Sequence, residues 1–124
     1  MPVLPAATAP SFAMPGLAVT GLAAPSRGAT ETSVWRLTLA PGAAGSEHTL
    51  DREEIFVVLA GRAVATIDGD EHHLRPGDAL VVPPHRPFSL ANPHGEPFEA
   101  VAALPVGGRV HIPGSHPFVP PWAK

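Results

Sequence analysis

The chain has no cysteine, so disulfides and thiolate chemistry are both excluded. Charge is sparse: 15% of the 124 residues are Asp, Glu, Lys or Arg, and the net charge is −3. No basic patch interrupts that balance, which argues against nucleic acid as a partner. No apolar run reaches membrane-spanning length. The opening, MPVLPAATAPSFAMPG, has prolines where a secretory signal needs an unbroken apolar stretch. The expectation is a cytoplasmic protein that engages no membrane. A helical period of useful length is also missing.

Proline and glycine are abundant instead, at 17 and 12 residues, and both break helices. Yet 44% of the chain is hydrophobic, enough to build a core. Many short strands joined by Pro/Gly turns reconcile the two facts. Residues 1–31 read as an extended arm over 1–16, able to lie across a neighbouring subunit, and a first short strand at Leu17–Leu22. From Thr32 to Leu39 the pattern TSVWRLTL alternates, with Trp35, Leu37 and Leu39 on one face. Further strands are expected at Ala63–Ile67, Glu71–Leu74, Ala79–Val82, Phe88–Ala91, Glu99–Leu104 and Arg109–Ile112. Asp68-Gly69 is a two-residue hairpin signal. The proline-locked tail is expected to pack Phe118 and Trp122 against the body. Such spacing predicts an all-β sandwich or barrel over 32–124.

The stretch from Pro41 to Gly61 organises the rest. It opens on a Pro-Gly turn, carries His48, Leu50 and Glu54, and closes with the apolar run Ile55–Leu59. Residues an even number apart on a strand share a face. An unbroken strand would therefore turn His48, Leu50 and Glu54 into one space, where His48 and Glu54 are expected to hydrogen-bond. A histidine and a carboxylate so placed supply half of a metal site or an acid–base pair.

These residues resemble the cupin family. Its first motif is G-x5-H-x-H-x3-E-x6-G, and Gly42, His48, Glu54 and Gly61 fall at the matching positions, with Leu50 in place of the second histidine. Its second motif is G-x5-P-x-G-x2-H-x3-N. Gly77, Pro83 and Asn92 match, while His85 replaces the glycine and Phe88 the histidine. The resemblance covers roughly residues 32–124. It implies a double-stranded β-helix, or jelly-roll barrel, and a homodimer.

In the family, two histidines and the glutamate of the first motif join the histidine of the second around one metal. Leu50 and Phe88 cannot coordinate, and two remaining ligands are fewer than such sites use. The reading is thus a barrel without a metal. It binds a small, largely apolar molecule in a pocket lined by His48, Leu50, Glu54, Phe88 and His85, with His48 and Glu54 as polar anchors. Catalytic residues are left unassigned. The alternative is a metal-dependent oxygenase, isomerase or cyclase holding one divalent transition metal through His48, Glu54 and a rescue ligand such as His85, His94 or His111. In a metal-free enzyme, Glu54 would be a general base oriented by His48. A third possibility is a solid barrel, filled by Leu50 and Phe88, that serves as an interaction protein.

Overall fold

The computed structural model describes residues 2–124. Eleven strands are present among them: β1 Ser11–Met14, β2 Leu17–Ala23, β3 Thr32–Leu39, β4 Thr49–Leu50, β5 Glu54–Ala60, β6 Ala63–Ile67, β7 Asp70–Leu74, β8 Ala79–Val82, β9 Phe88–Ala91, β10 Phe98–Pro105 and β11 Val110–His111. Three short 3-10 turns complete the secondary structure. Six strands form one sheet in the order β1-β2-β3-β10-β5-β8. Three form a second, β7-β6-β9, and β11 pairs with β4 in a third. Every pairing is antiparallel, as expected of a jelly roll.

The alternation read in the sequence is the alternation of burial. On β3, Trp35, Leu37 and Leu39 are buried and Arg36 is exposed. On β5, Glu54, Phe56 and Val58 point inward. Its other face is apolar too, but Ile55, Val57 and Leu59 keep 37, 43 and 44% of their surface exposed. The hairpin of β6 and β7 turns at Asp68-Gly69, with φ of 52° and 82°. Left-handed φ at both central residues is the signature of a type I′ turn.

Two segments depart from expectation. Within the stretch read as an arm, Ser11–Met14 forms β1 and pairs with β2 of the same chain. The strand expected through His48 and Glu54 is also broken. Asp51–Glu53 form a bend, so β4 joins the two-stranded sheet and β5 the six-stranded one. The prediction failed there because two exposed acids and an arginine separate the strands with nothing apolar to bury.

The tail closes one side of the barrel. The hydroxyl of buried Ser33 donates to the carbonyl of Ala123 at 2.9 Å. Trp122 packs edge-on against Phe12 and is tilted against Trp35, with centroids 6.1 and 6.3 Å away. Phe118 is held by its backbone, which pairs with Val110, and its side chain stays 40% exposed. Asn92 is the polar hub of the opposite side. Its amide donates to the carbonyls of Leu39 and Glu96, and its oxygen accepts from the His94 N–H. A fully buried amide needs such partners.

Candidate functional site in the barrel cavity

The sheets line a half-open cavity of about 530 Å³. His48, Leu50, Glu54 and Phe88 all line it, with Trp35, so four of the five pocket positions singled out in the sequence do meet in one space. They meet without a continuous strand. His48 bridges to Phe88 beside β4, and Glu54 opens β5 opposite Val82. The barrel is therefore not solid, although Leu50 and Phe88 are buried in its wall.

Glu54 is the unusual group. It is 5% exposed, and its carboxyl has no side-chain hydrogen bond and no ion pair among the described residues. Phe56 and Phe88 stand nearby as a tilted aromatic pair, with centroids 5.7 Å apart. Removing a carboxylate from water without a partner favours its neutral form. Burial accordingly pushes the Glu54 carboxyl up from 4.5 to about 8.

His48 is half-buried and lies edge-on to Phe88, with centroids 5.2 Å apart. Its Nδ1 lies 2.8 Å from the carbonyl oxygen of Ser46. A carbonyl only accepts, so Nδ1 carries the proton and, in the neutral ring, Nε2 keeps its lone pair. The expected hydrogen bond between His48 and Glu54 does not form. The imidazole is taken by the loop before β4, and the break at Asp51–Glu53 separates His48, which bridges to Phe88 outside the sheets, from Glu54 on the six-stranded sheet.

His85 is a second correction. It lies outside the barrel, in a smaller depression with Thr49, Asp51, Arg109 and His111. Its φ is +64°, and its N–H donates to the Leu50 carbonyl at 2.7 Å. The glycine of the second motif marks a left-handed backbone position, and His85 adopts that conformation with its side chain outward. His94 and His111 do not line the cavity either, and His72, His73 and His116 are exposed. Phe56 also lines the cavity, a position the sequence reading did not single out. Its even spacing from Glu54 was the available signal. The β1–β2 turn and the tail residues Phe118, Pro120, Pro121 and Trp122 also line the cavity. No periodicity marks such positions, because tertiary docking of loops puts them there.

A family model described as a cupin domain matches residues 35–104. Among curated proteins, the chain is 39% identical over 51 residues to beta-conglycinin beta subunit 1 of Glycine max, covering 38% of this chain. It is 35% identical over 40 residues to the uncharacterized protein MJ1618 of Methanocaldococcus jannaschii, covering 32% of this chain. The matches span only 12% and 32% of those two proteins. Among solved structures, the polyketide cyclase RemF of Streptomyces resistomycificus superposes with a TM-score of 0.81 at 15% identity, over 94% of this chain and 87% of that one. An RmlC-like cupin of Shewanella frigidimarina gives 0.72 at 19% identity, over 85% and 90%. At such identities the likeness is one of fold.

Proposed function

This chain belongs to the cupin family, and from that premise we propose that its barrel binds a small, largely apolar molecule. The observation that carries the reading is the cavity itself: apolar and aromatic walls, one unpartnered carboxyl and one imidazole with a free nitrogen. Sites of this kind derive affinity from apolar contact and orientation from a few polar groups. Phe56, Phe88 and Trp35 offer faces and edges to a flat ligand. Glu54 donates a hydrogen bond and Nε2 of His48 accepts one.

The metal-dependent alternative has less support. Cupin metal sites draw on three histidines and a glutamate, and here Leu50 and Phe88 stand at two of those positions. The rescue candidates His85, His94 and His111 lie away from the cavity. No group of three potential ligands comes together among the described residues. The donor set does not fit a three-ligand centre.

The same reading takes the protein to be a cytoplasmic homodimer. The exposed row Ile55, Val57 and Leu59 supports an association surface, and no helix among the described residues is long and apolar enough to cross a membrane.

Binding is tested by a thermal-shift and tryptophan-fluorescence screen of bicyclic aromatic ketones, phenols and hydrocarbons. Trp35 and Trp122 line the cavity and report occupancy directly. A ligand at ~100 times its Kd should stabilise the fold by about 2.7 kcal/mol. Ketones and phenols should bind more tightly than hydrocarbons of equal size. A flat response across all three classes would remove the proposal.

A further inference from the structure

We propose that the cavity takes a neutral molecule bearing an alkyl chain, whose body fills the barrel and whose chain leaves through the mouth over Met14, Ile112 and Phe118. The inference rests on the binding reading above and names the class of ligand.

Eight large hydrophobic residues are exposed among the described residues, and they fall into groups. Val3 lies in the N-terminal segment. Ile55, Val57, Leu59 and Val81 share the outer face of β5 and β8, where Ile55 pairs with Val81, and none of them lines the cavity. Met14, Ile112 and Phe118 do line it. They come from the β1–β2 turn and from the two sides of the turn after β11, yet they keep 45, 39 and 40% of their surface exposed. Residues that line a cavity and still meet solvent stand where it opens. Hydrophobic residues scattered singly over a surface need no explanation, but three that converge on one mouth do.

The rim is anchored by its backbone. The Ala40 N–H donates to the Gly16 carbonyl at 3.0 Å. A Cβ on Gly16 would stand 3.1 Å from that of Ala43, so the turn carrying Met14 lies close against the loop before β4. Phe118 and Val110 exchange backbone hydrogen bonds of 2.8 and 3.0 Å, which ties the tail to the strand that leads into Ile112. The three apolar side chains are thus presented by tethered segments from two sides of the opening.

What the rim lacks decides the ligand. Apart from His48 and Glu54, no ionisable side chain lines the cavity or its mouth. A phosphorylated or carboxylated chain would find no arginine or lysine there to pair with. A protein partner needs about 800 Å² on each side, and three partly exposed side chains around an opening offer a small part of that. An alkyl chain needs only a strip of apolar contact continuous with the wall it leaves. Met14, unbranched and flexible, adapts to such a shape.

The experiment titrates the full chain with the n-alkyl phenyl ketones from acetophenone to octanophenone. Binding is read by quenching of Trp35 and Trp122, which line the cavity. Each added CH2 should tighten binding by about two- to threefold, less than the roughly fourfold of a fully buried one. In the Met14→Ser, Phe118→Ser double variant the gain should fall below ~1.5-fold per CH2 for the longer members, and Met14→Ser alone should lose part of it. Val81→Ser, on the outer sheet face, should keep the wild-type gain. 4-Heptylbenzoate should bind at least about tenfold more weakly than octanophenone, because its charge has no partner in the barrel. Quenching by acetophenone with no gain along the series overturns this inference and leaves the binding proposal standing. Absence of quenching by every member overturns both. A full gain in the double variant, or its loss in Val81→Ser, overturns the placing of the chain on the rim. Equal binding of 4-heptylbenzoate overturns the neutral class. A change in sedimentation between wild type and double variant assigns the rim to a second copy and overturns the inference as well.

Discussion

Two pockets on this molecule hold the same kinds of residue and differ in solvation. Inside the barrel are a histidine and a glutamate among aromatic rings. Outside, in the smaller depression, His85 and His111 lie with Asp51 and Arg109. Asp51 is exposed, and its carboxylate accepts the Arg109 backbone N–H at 2.7 Å. It keeps both water and a partner. Glu54 has no such partner, and burial pushes its carboxyl up to about 8. A carboxyl's chemistry here is decided by what surrounds it, and the inner pocket alone supplies a neutral acid.

The strongest way to test that contrast is Glu54→Gln. Unfolded Glu54 ionises near 4.5 and folded Glu54 near 8. Between those values the unfolded state binds fewer protons, so stability from this group falls as pH rises, by ~1.4 kcal/mol per unit. The loss is complete above the folded value. Glu54→Gln removes this slope and should leave the protein more stable than wild type at pH 9, by on the order of 4 kcal/mol. Urea unfolding at pH 4 and at pH 9 measures it. Equal slopes in the two proteins would show that Glu54 has a partner or water in the folded state.

The second test converts the inner pocket. In the Leu50→His, Phe88→His double variant the four family positions all carry ligands. Without metal, each exchange should cost about 2–4 kcal/mol through lost apolar packing and buried polar atoms. Added Zn²⁺ should recover that stability and co-purify near stoichiometrically, as measured by elemental mass spectrometry and thermal unfolding. A wild-type protein that takes up as much metal as the variant would refute the argument from the donor set.

The same contrast shows what was legible beforehand. The bounds of β3, β6, β8 and β9 follow from alternation and from Pro/Gly punctuation, which are local properties. The spacing of His48, Leu50 and Glu54 pointed to one space but assumed an unbroken strand, and they meet instead through β4, β5 and the bridge at His48. The absence of a His48–Glu54 bond was not legible, because it depends on a bend at Asp51–Glu53 and on the Ser46 carbonyl. His85 was misplaced because spacing gives a position and not a backbone conformation. Its φ of +64° sends the side chain away from the strand that Phe88 begins. The tail's part in the cavity wall rests on long-range contacts such as Ser33 to Ala123, which no window of sequence contains.

A smaller effect is expected for Asp51→Ala. It removes one hydrogen bond that ties β4 to the segment before β11. The loss should be ~1 kcal/mol, independent of any ligand in the barrel. A matching loss of ketone quenching would mean that the outer depression and the cavity are coupled through Leu50, which borders both.

The smallest expected effect is that of His85→Gly. A non-glycine residue in the left-handed region carries a strain of roughly 1–2 kcal/mol. Glycine relieves that strain but adds freedom to the unfolded chain, at a cost of about 0.5–1 kcal/mol. The backbone N–H that donates to the Leu50 carbonyl is retained in either case. The net result should be a gain of under ~1 kcal/mol in urea unfolding, with no change in ketone binding. The second half of that expectation is the sharper one. His85 neighbours both Leu50 and the turn into Phe88, so it sits one layer from the cavity wall. If deleting its side chain weakened ketone binding, the imidazole would have to reach the ligand, and the division between an apolar inner pocket and a polar outer one would no longer hold.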